Sequence, residues 1–233
     1  APDLNGGVML LLTDGTVISK TWFGGYGSTP GTTWDKLVPD NHGSYANGTW
    51  SSIAHMNNDR LYFSTWLLKD GRVYAGGGEY GSGTTAEIYN PVTDSWTSTT
   101  TPGDNFGDGG SENLSDGRLL LAVNTGTALT NYFYDPAANS YAAAPASLAS
   151  HDELSWLKLP DESILQIDFN STTAERYIPA SNTWVSEPDV PVTIYDSYAY
   201  ETGAATMLPD GRAFFVGATG HTAFYTPSGT SGP

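Results

Sequence analysis

A turn marked by an aspartate returns five times along this chain of 233 residues. Its aspartates are Asp14, Asp70, Asp116, Asp161 and Asp210. They recur at intervals of 45 to 56 residues, and glycine follows four of them. After three of the turns, a proline stands five residues before a large aromatic residue; the pairs are Pro91 and Trp96, Pro136 and Tyr141, and Pro179 and Trp184. A period of this length, made of short strands and tight turns, predicts an all-β β-propeller with four-stranded blades.

The strands of each repeat can be assigned from its turns and apolar runs. In the second repeat, residues 61–68 are predicted to form a single innermost strand that is buried on both faces. The recurring outer-strand aromatic is expected in the core. In the fifth repeat, residues 204–208, 213–217 and 222–225 give three strands, and the aromatic expected after Pro227 falls at Gly232. We therefore expect one domain with blades at about residues 1–55, 56–100, 101–147, 148–190 and 191–233, the fifth lacking its outer strand.

A blade without an outer strand leaves a sheet edge exposed, which is unfavourable and promotes aggregation. One solution is that residues 1–5 fold back as the missing strand. The other is that the sequence is a fragment, and that a second chain or a swapped strand completes the propeller. Because Pro2 makes residues 1–5 poor strand material, the second solution is favoured.

Charge and composition narrow the functional classes. The net charge of −16 argues against nucleic-acid binding, since phosphates require a basic surface. No apolar run approaches the roughly 18 residues that a membrane span needs. The sequons at Asn47, Asn113 and Asn170, together with a first residue that is not methionine, indicate a secreted, acidic glycoprotein. An acidic surface is also expected if the charge serves only to keep the protein soluble.

Residues 11–17, 69–78 and 86–96 resemble Kelch repeats, and more narrowly the galactose-oxidase-like propellers of secreted bacterial and fungal proteins. Residues 217–223 fit the same group. The resemblance implies the fold, but such propellers host oxidases, lyases, lectins and protein-binding modules. They commonly have six or seven blades, which implies further chain. The copper oxidases of the group need a cysteine cross-linked to a tyrosine, and because this chain has no cysteine, a copper-radical cofactor is excluded.

The loops that lead into the innermost strands of a propeller gather at one mouth of its channel, where function is usually found. Asp108 and Glu153 stand eight residues before a turn aspartate and Glu201 nine, so these carboxylates are expected at that mouth. The catalytic candidates are Asp108, Glu153, Glu201, His151 and His221. Candidate ligands for Ca²⁺ or another divalent cation are Asp108, Asp152 and Glu201. The ligand-binding candidates are Tyr26, Arg60, Glu79, Tyr80 and Asp152.

Aromatic residues beside carboxylates are typical of sites for sugars. The sequence therefore predicts a secreted carbohydrate-binding propeller with an acidic mouth and a glycan or polysaccharide as partner. The alternative is an enzyme that degrades a polysaccharide, with the mouth carboxylates and histidines as acid and base of a hydrolase or lyase. A protein-interaction scaffold is the third hypothesis. The same carboxylates are also compatible with a purely structural role, binding backbone amides or water.

Overall fold

A computed structural model describes residues 8–21, 30–106, 108–123, 129–150, 153–168, 170–198 and 201–228. These segments contain twenty-one short strands. They contain no helix, and so none that could cross a lipid bilayer. The chain divides into two compact units, residues 1–107 and 108–233. Strands β1 to β10 belong to the first unit and β11 to β21 to the second.

The first unit contains two four-stranded antiparallel sheets, which are the first two blades. The first blade consists of β1 (Met9–Leu11), β2 (Val17–Lys20), β3 (Trp34–Val38) and β4 (Thr49–Ser52). The second consists of β6 (Ser64–Leu67), β7 (Val73–Gly76), β9 (Ala86–Asn90) and β10 (Ser95–Ser98). A separate two-stranded ribbon pairs β5 (Arg60–Leu61) with β8 (Tyr80–Gly81). Buried apolar side chains from both blades, including Ile18, Trp34 and Val73, form one core.

The second unit contains the other three blades. The third blade is β11 (Ser111–Asn113), β12 (Leu119–Ala122), β13 (Asn131–Asp135) and β14 (Ser140–Ala144). The fourth is β15 (Leu157–Lys158), β16 (Ile164–Ile167), β17 (Ala174–Ile178) and β18 (Thr183–Glu187). The fifth has only β19 (Ala205–Met207), β20 (Ala213–Val216) and β21 (Thr222–Tyr225). The prediction of an all-β propeller with five blades, one of them three-stranded, is confirmed.

The prediction of one continuous innermost strand over residues 61–68 is wrong. Tyr62 adopts a left-handed backbone, with φ of 49°, which interrupts the strand. Leu61 pairs instead with Tyr80 in the ribbon, and β6 begins only at Ser64. Nor is β6 buried on both faces, because three of its four residues are half-buried.

The five aspartate turns share one backbone geometry. In each, the amide of a leucine donates to the carbonyl four residues later, as from Leu12 to Thr16 at 2.8 Å. The aspartate Oδ1 accepts the amide two residues on, at 2.9–3.1 Å in all five turns. The residue after the aspartate has a positive φ, as expected for a three-residue hairpin loop. Glycine takes this position in four turns, and Glu162 takes it in the fourth blade with φ of 70°.

The proline-to-aromatic motif forms the turn before each outer strand. A tyrosine hydroxyl on the third strand donates to the side chain of an aspartate or asparagine five residues later; the pairs are Tyr89 and Asp94, Tyr134 and Asn139, and Tyr177 and Asn182. Each acceptor residue has a positive φ, between 47° and 54°. Trp96 and Trp184 on the outer strands are 8% and 7% exposed, which confirms that they belong to the core. The prediction fails for the third aromatic of the motif, because Tyr141 on β14 is only half-buried.

Candidate functional site

In the second unit, the segments that lead into β11, β15 and β19 lie side by side. Asp108, Glu153 and Thr202 each stand eight residues before a turn aspartate. The Glu153 amide donates to the Asp108 carbonyl at 3.1 Å, and the Thr202 amide donates to the Glu153 carbonyl at 3.2 Å. The structure thus joins the entry segments of the third, fourth and fifth blades through their backbones.

This backbone ladder brings two of the candidate carboxylates together. Carboxylate oxygens of Asp108 and Glu153 lie within 4.8 Å of each other, and both residues are half-buried. Glu153 has a left-handed backbone, with φ of 47°, a conformation often found where a side chain is held for function. Glu201 is exposed beside Thr202, and its carbonyl accepts the Asp196 amide. Two carboxylates at this spacing suit acid–base chemistry or the binding of a divalent cation.

In the first unit, the β5–β8 ribbon presents two tyrosines to solvent. The rings of Tyr62 and Tyr80 meet edge to face, with centroids 6.2 Å apart. They are 45% and 43% exposed. Glu79, also exposed, donates its amide to the Tyr62 carbonyl at 3.3 Å. Glu79 and Tyr80 were expected as ligand-binding residues, whereas Tyr62 was missed because its segment was predicted to be a buried strand.

Arg60 was expected to contact a ligand, but its side chain is fully buried beneath the ribbon. Its guanidinium donates to the carbonyls of Gly77 and Thr85 at 2.8 and 2.9 Å. It also forms a 3.0 Å ion pair with Glu87 on β9. These bonds fix the base of the ribbon to the second blade, so Arg60 positions the tyrosines rather than touching a ligand.

The carboxylate of Glu87 is the centre of this buried network. It accepts the backbone amides of Asn57 and Asn58 at 2.7 and 2.9 Å, in addition to the Arg60 guanidinium. Burial raises the pKa of Glu87, and the hydrogen bonds from Asn57, Arg60 and Asn58 lower it. The hydrogen bonds together outweigh the burial, so the pKa of Glu87 lies below its ordinary value. Glu87 therefore carries the charge that holds Arg60 in place.

Lys20, at the end of β2, is a buried cation that the sequence analysis did not single out. It is 3% exposed, and its ammonium lies 5.9 Å from the centre of the Phe63 ring. Burial lowers the pKa of Lys20 to about 8, helped by the positive charge of Arg60 and opposed by Asp59. Nothing in the strand pattern distinguishes it from an exposed lysine.

The other predicted residues are dispersed. His221 is exposed, and its Nδ1 lies 3.2 Å from the Thr193 carbonyl and 3.3 Å from the Thr219 hydroxyl. Tyr26, His151 and Asp152 lie outside the described residues. Of the sequon asparagines, Asn47 and Asn170 are exposed and Asn113 is half-buried at the end of β11.

No family model and no curated protein matches the chain. Among solved structures, it is similar to a fungal alcohol oxidase of the AA5 family in complex with copper, with 14% identity and a TM-score of 0.52. The similarity covers 97% of this chain and 63% of the oxidase chain. The similarity agrees with the β-propeller fold that the strand topology shows. At this identity the likeness concerns the fold alone.

The residues of the propeller do not fit the copper-radical centre of the copper oxidases in the group that the sequence resembles. That centre requires a cysteine bonded to a tyrosine, and the sequence contains no cysteine. No copper chemistry is therefore assigned to the chain. Among the described residues, the candidates named from the sequence that remain for chemistry are the carboxylates of Asp108, Glu153 and Glu201 and the imidazole of His221.

Proposed function

We propose that this propeller is a secreted, Kelch-type carbohydrate-binding protein, and that Tyr62, Tyr80 and Glu79 contact the sugar. Tyrosine rings pack against the apolar C–H faces of sugars, while phenol and carboxylate oxygens bond to hydroxyl groups. The observation that carries the proposal is the exposed tyrosine pair beside an exposed carboxylate, on one ribbon.

The ribbon is suited to binding because it is held in place before any ligand arrives. Arg60 ties its base to Gly77, Thr85 and Glu87. The Ser82 amide, just beyond β8, donates to the Asp59 carbonyl at 3.0 Å. Ordering a side chain on binding costs about 0.5–1.5 kcal/mol, and a fixed ribbon reduces that cost.

The charge of the chain restricts the class of glycan. A net charge of −16 repels polyanions such as uronate-rich polymers over the whole surface. Neutral or cationic oligosaccharides meet no such repulsion. We therefore expect a neutral glycan to bind the tyrosine pair.

Glycan-array screening followed by calorimetry tests the site. Tyr62→Ala and Tyr80→Ala are each expected to weaken binding by about 1–2 kcal/mol, which is roughly 5- to 30-fold, because each removes a stacking surface. Tyr45→Ala is the matched control: Tyr45 is 41% exposed, but it precedes β4 and donates to the Gly15 carbonyl. If both ribbon variants bind like the wild type, the proposed site is wrong.

The carboxylate pair supports a second candidate, an enzyme that cleaves a polysaccharide. Retaining glycosidases hold their two carboxyl groups about 5–5.5 Å apart, and oxygens of Asp108 and Glu153 lie within 4.8 Å of each other. In such an enzyme, Asp108→Asn or Glu153→Gln lowers turnover by orders of magnitude while melting is unchanged. Glu201→Gln, at the neighbouring exposed carboxylate, is the comparison.

The same pair is also a candidate site for Ca²⁺ or another divalent cation. A cation that binds only the folded protein raises its melting temperature. We expect added Ca²⁺ to stabilise the wild type and to leave Asp108→Asn unaffected if the pair holds a metal. Equal stabilisation of both proteins would exclude this site.

A further inference from the structure

In the fourth blade, two buried carboxyl groups lie on one face of the sheet. Glu175 on β17 is opposite Gln166 on β16, and Asp168 stands two residues beyond Gln166. Since side chains alternate between the two faces of a strand, Asp168 and Glu175 are diagonal neighbours on the same face. They are 9% and 2% exposed. Burial, and to a smaller extent the negative charge of Asp168, raises the pKa of Glu175 to about 7, so the two groups interact.

The second blade has the same arrangement with a cation in it. Glu87 there corresponds to Glu175. In each blade, the threonine two residues before the glutamate accepts a backbone amide, from Gly77 at 3.0 Å and from Asp168 at 2.9 Å. Gly77 and Asp168 are therefore equivalent positions. The Arg60 guanidinium bonds to the Gly77 carbonyl and forms an ion pair with Glu87, so a positive charge occupies this place in the second blade.

The fourth blade differs in its basic residues. Of the nine lysines and arginines, all of which lie within the described residues, none forms an ion pair with Asp168 or Glu175. Arg176, next to Glu175, projects to the opposite face and pairs with Asp161 and Glu187. The described lysines and arginines therefore leave Asp168 without a counter-charge.

The two carboxyl groups of this face also differ in their hydrogen bonds. Glu175 accepts the Leu148 and Ala149 amides at 2.6 and 3.1 Å. It also accepts the side-chain amide of Gln166 at 2.5 Å. Oδ2 of Asp168 accepts a serine hydroxyl at 2.7 Å, but its Oδ1 is buried and has no partner among the described residues. The oxygen that remains to be satisfied therefore belongs to Asp168.

A second buried oxygen of this kind lies in the adjacent third blade. It is Oδ1 of Asn131 at the start of β13, which likewise bonds to no group in the described part of the chain. The Asn131 Nδ2 donates to the Pro145 carbonyl at 3.0 Å, and four residues later the Ala149 amide donates to Glu175. One short segment thus connects Asn131 with the buried face of the fourth blade. Both unpartnered atoms are acceptors, so neither can satisfy the other.

We propose that Asp168 binds Na⁺ in the seam between the third and fourth blades, with the side-chain carbonyl of Asn131 as the candidate second ligand. Hard cations are bound by carboxylate and amide carbonyl oxygens. A single positive charge matches the one carboxylate oxygen that lacks a partner, and a buried site disfavours excess charge. Thr173, which is exposed opposite Asp168, leaves access from solvent. The site shares no residue with the pair of Asp108 and Glu153.

The melting temperature at constant ionic strength tests this site on the whole protein. Sodium chloride and choline chloride at about 0.2 M screen charges equally, whereas choline is too large to enter a buried site between oxygen atoms. An ion at ten times its dissociation constant increases the ratio of folded to unfolded protein about tenfold, so we expect Na⁺ to raise the melting temperature by about 3–5 °C over choline. Equal melting temperatures of the wild type in the two salts overturn the proposal, whether or not any variant folds.

Three variants locate the ion. Asp168→Asn keeps the size of the side chain and removes its charge, so it should melt at the same temperature in both salts. Asp189→Asn, at an exposed carboxylate after β18, should retain the full difference. Asp108→Asn should retain it as well. A difference that persists in Asp168→Asn, or that is lost in Asp108→Asn, places the ion elsewhere and contradicts the assignment.

His151 is the alternative source of positive charge and lies outside the described residues. It stands two residues after Ala149, as Arg60 stands two residues after Asn58, and the amides of Ala149 and Asn58 donate to the equivalent glutamates. The measurements are therefore made at about pH 8, where histidine is mostly neutral. We expect His151→Ala to show the same Na⁺ effect as the wild type. An effect that appears only in His151→Ala would assign the place to the imidazole and refute the sodium site.

Discussion

The turn of the fourth blade offers a direct test of how this repeat is built. Glu162 occupies the left-handed position that glycine holds in the other four turns, with φ of 70°. A residue with a Cβ costs about 1–2 kcal/mol in this conformation. Glu162→Gly relieves that cost in the folded state.

Two smaller effects oppose the gain. Glycine makes the unfolded chain more flexible, which costs about 0.4–1 kcal/mol. The substitution also removes a 3.8 Å ion pair between Glu162 and Lys158, whose side chains are 50% and 32% exposed, respectively. An ion pair this exposed contributes about 0–1 kcal/mol to stability. At the midpoints of these ranges, the net expectation is a stabilisation of about 0.3 kcal/mol.

Gly211→Ala, in the equivalent turn of the fifth blade, is the reverse experiment. A methyl group there would meet no atom within 4 Å, so backbone strain at φ of 86° is the dominant effect. We expect a destabilisation of about 0.5–1 kcal/mol. Urea unfolding followed by fluorescence measures both changes. Destabilisation by Glu162→Gly, or an unchanged Gly211→Ala, would refute this account of the turns.

Two further predictions concern buried glutamates. Burial raises the pKa of Glu175 to about 7, although the hydrogen bonds from the Leu148 and Ala149 amides act in the opposite direction. Between pH 4.5 and 7, the folded protein therefore keeps a proton on Glu175 that the unfolded chain has already lost, since the ordinary pKa is 4.5. Stability should therefore fall as pH rises from about 4.5 to 7, and Glu175→Gln should flatten that fall in urea titrations at several pH values. Arg60→Met leaves the buried charge of Glu87 unpaired and should cost about 3–5 kcal/mol at neutral pH. Because the pKa of Glu87 is lowered in the wild type, this cost should shrink as pH falls below the ordinary glutamate value; a cost independent of pH would contradict the ion-pair assignment.

Local sequence features were sufficient to predict the blades. The aspartate turns and the proline-to-aromatic motif each fix their geometry within a few residues, as in the bond from Tyr177 to Asn182. Even the turn at Asp161 was placed without a glycine. The three-stranded fifth blade followed from the same period.

The candidate site depended on contacts that local patterns do not contain. Residues 61–68 read as one apolar strand, but Leu61 pairs with Tyr80, nearly twenty residues away, and Tyr62 turns outward. Arg60 looked like an exposed loop cation, and its ion pair with Glu87 on β9 buries it. The spacing of Asp108 and Glu153 from their turns did indicate neighbouring positions, because both are set by the repeat.

Ring-labelled tyrosine NMR provides the most direct test of carbohydrate binding. The chain has fourteen tyrosines, and variants assign the signals of Tyr62, Tyr80, Tyr45 and Tyr198. On titration with the neutral oligosaccharide selected by the array, we predict saturable shifts for Tyr62 and Tyr80. Tyr45 and Tyr198, which is 94% exposed, should not move. Unchanged ribbon signals while the glycan binds, or shifts confined to Tyr45 or Tyr198, would contradict the proposed site.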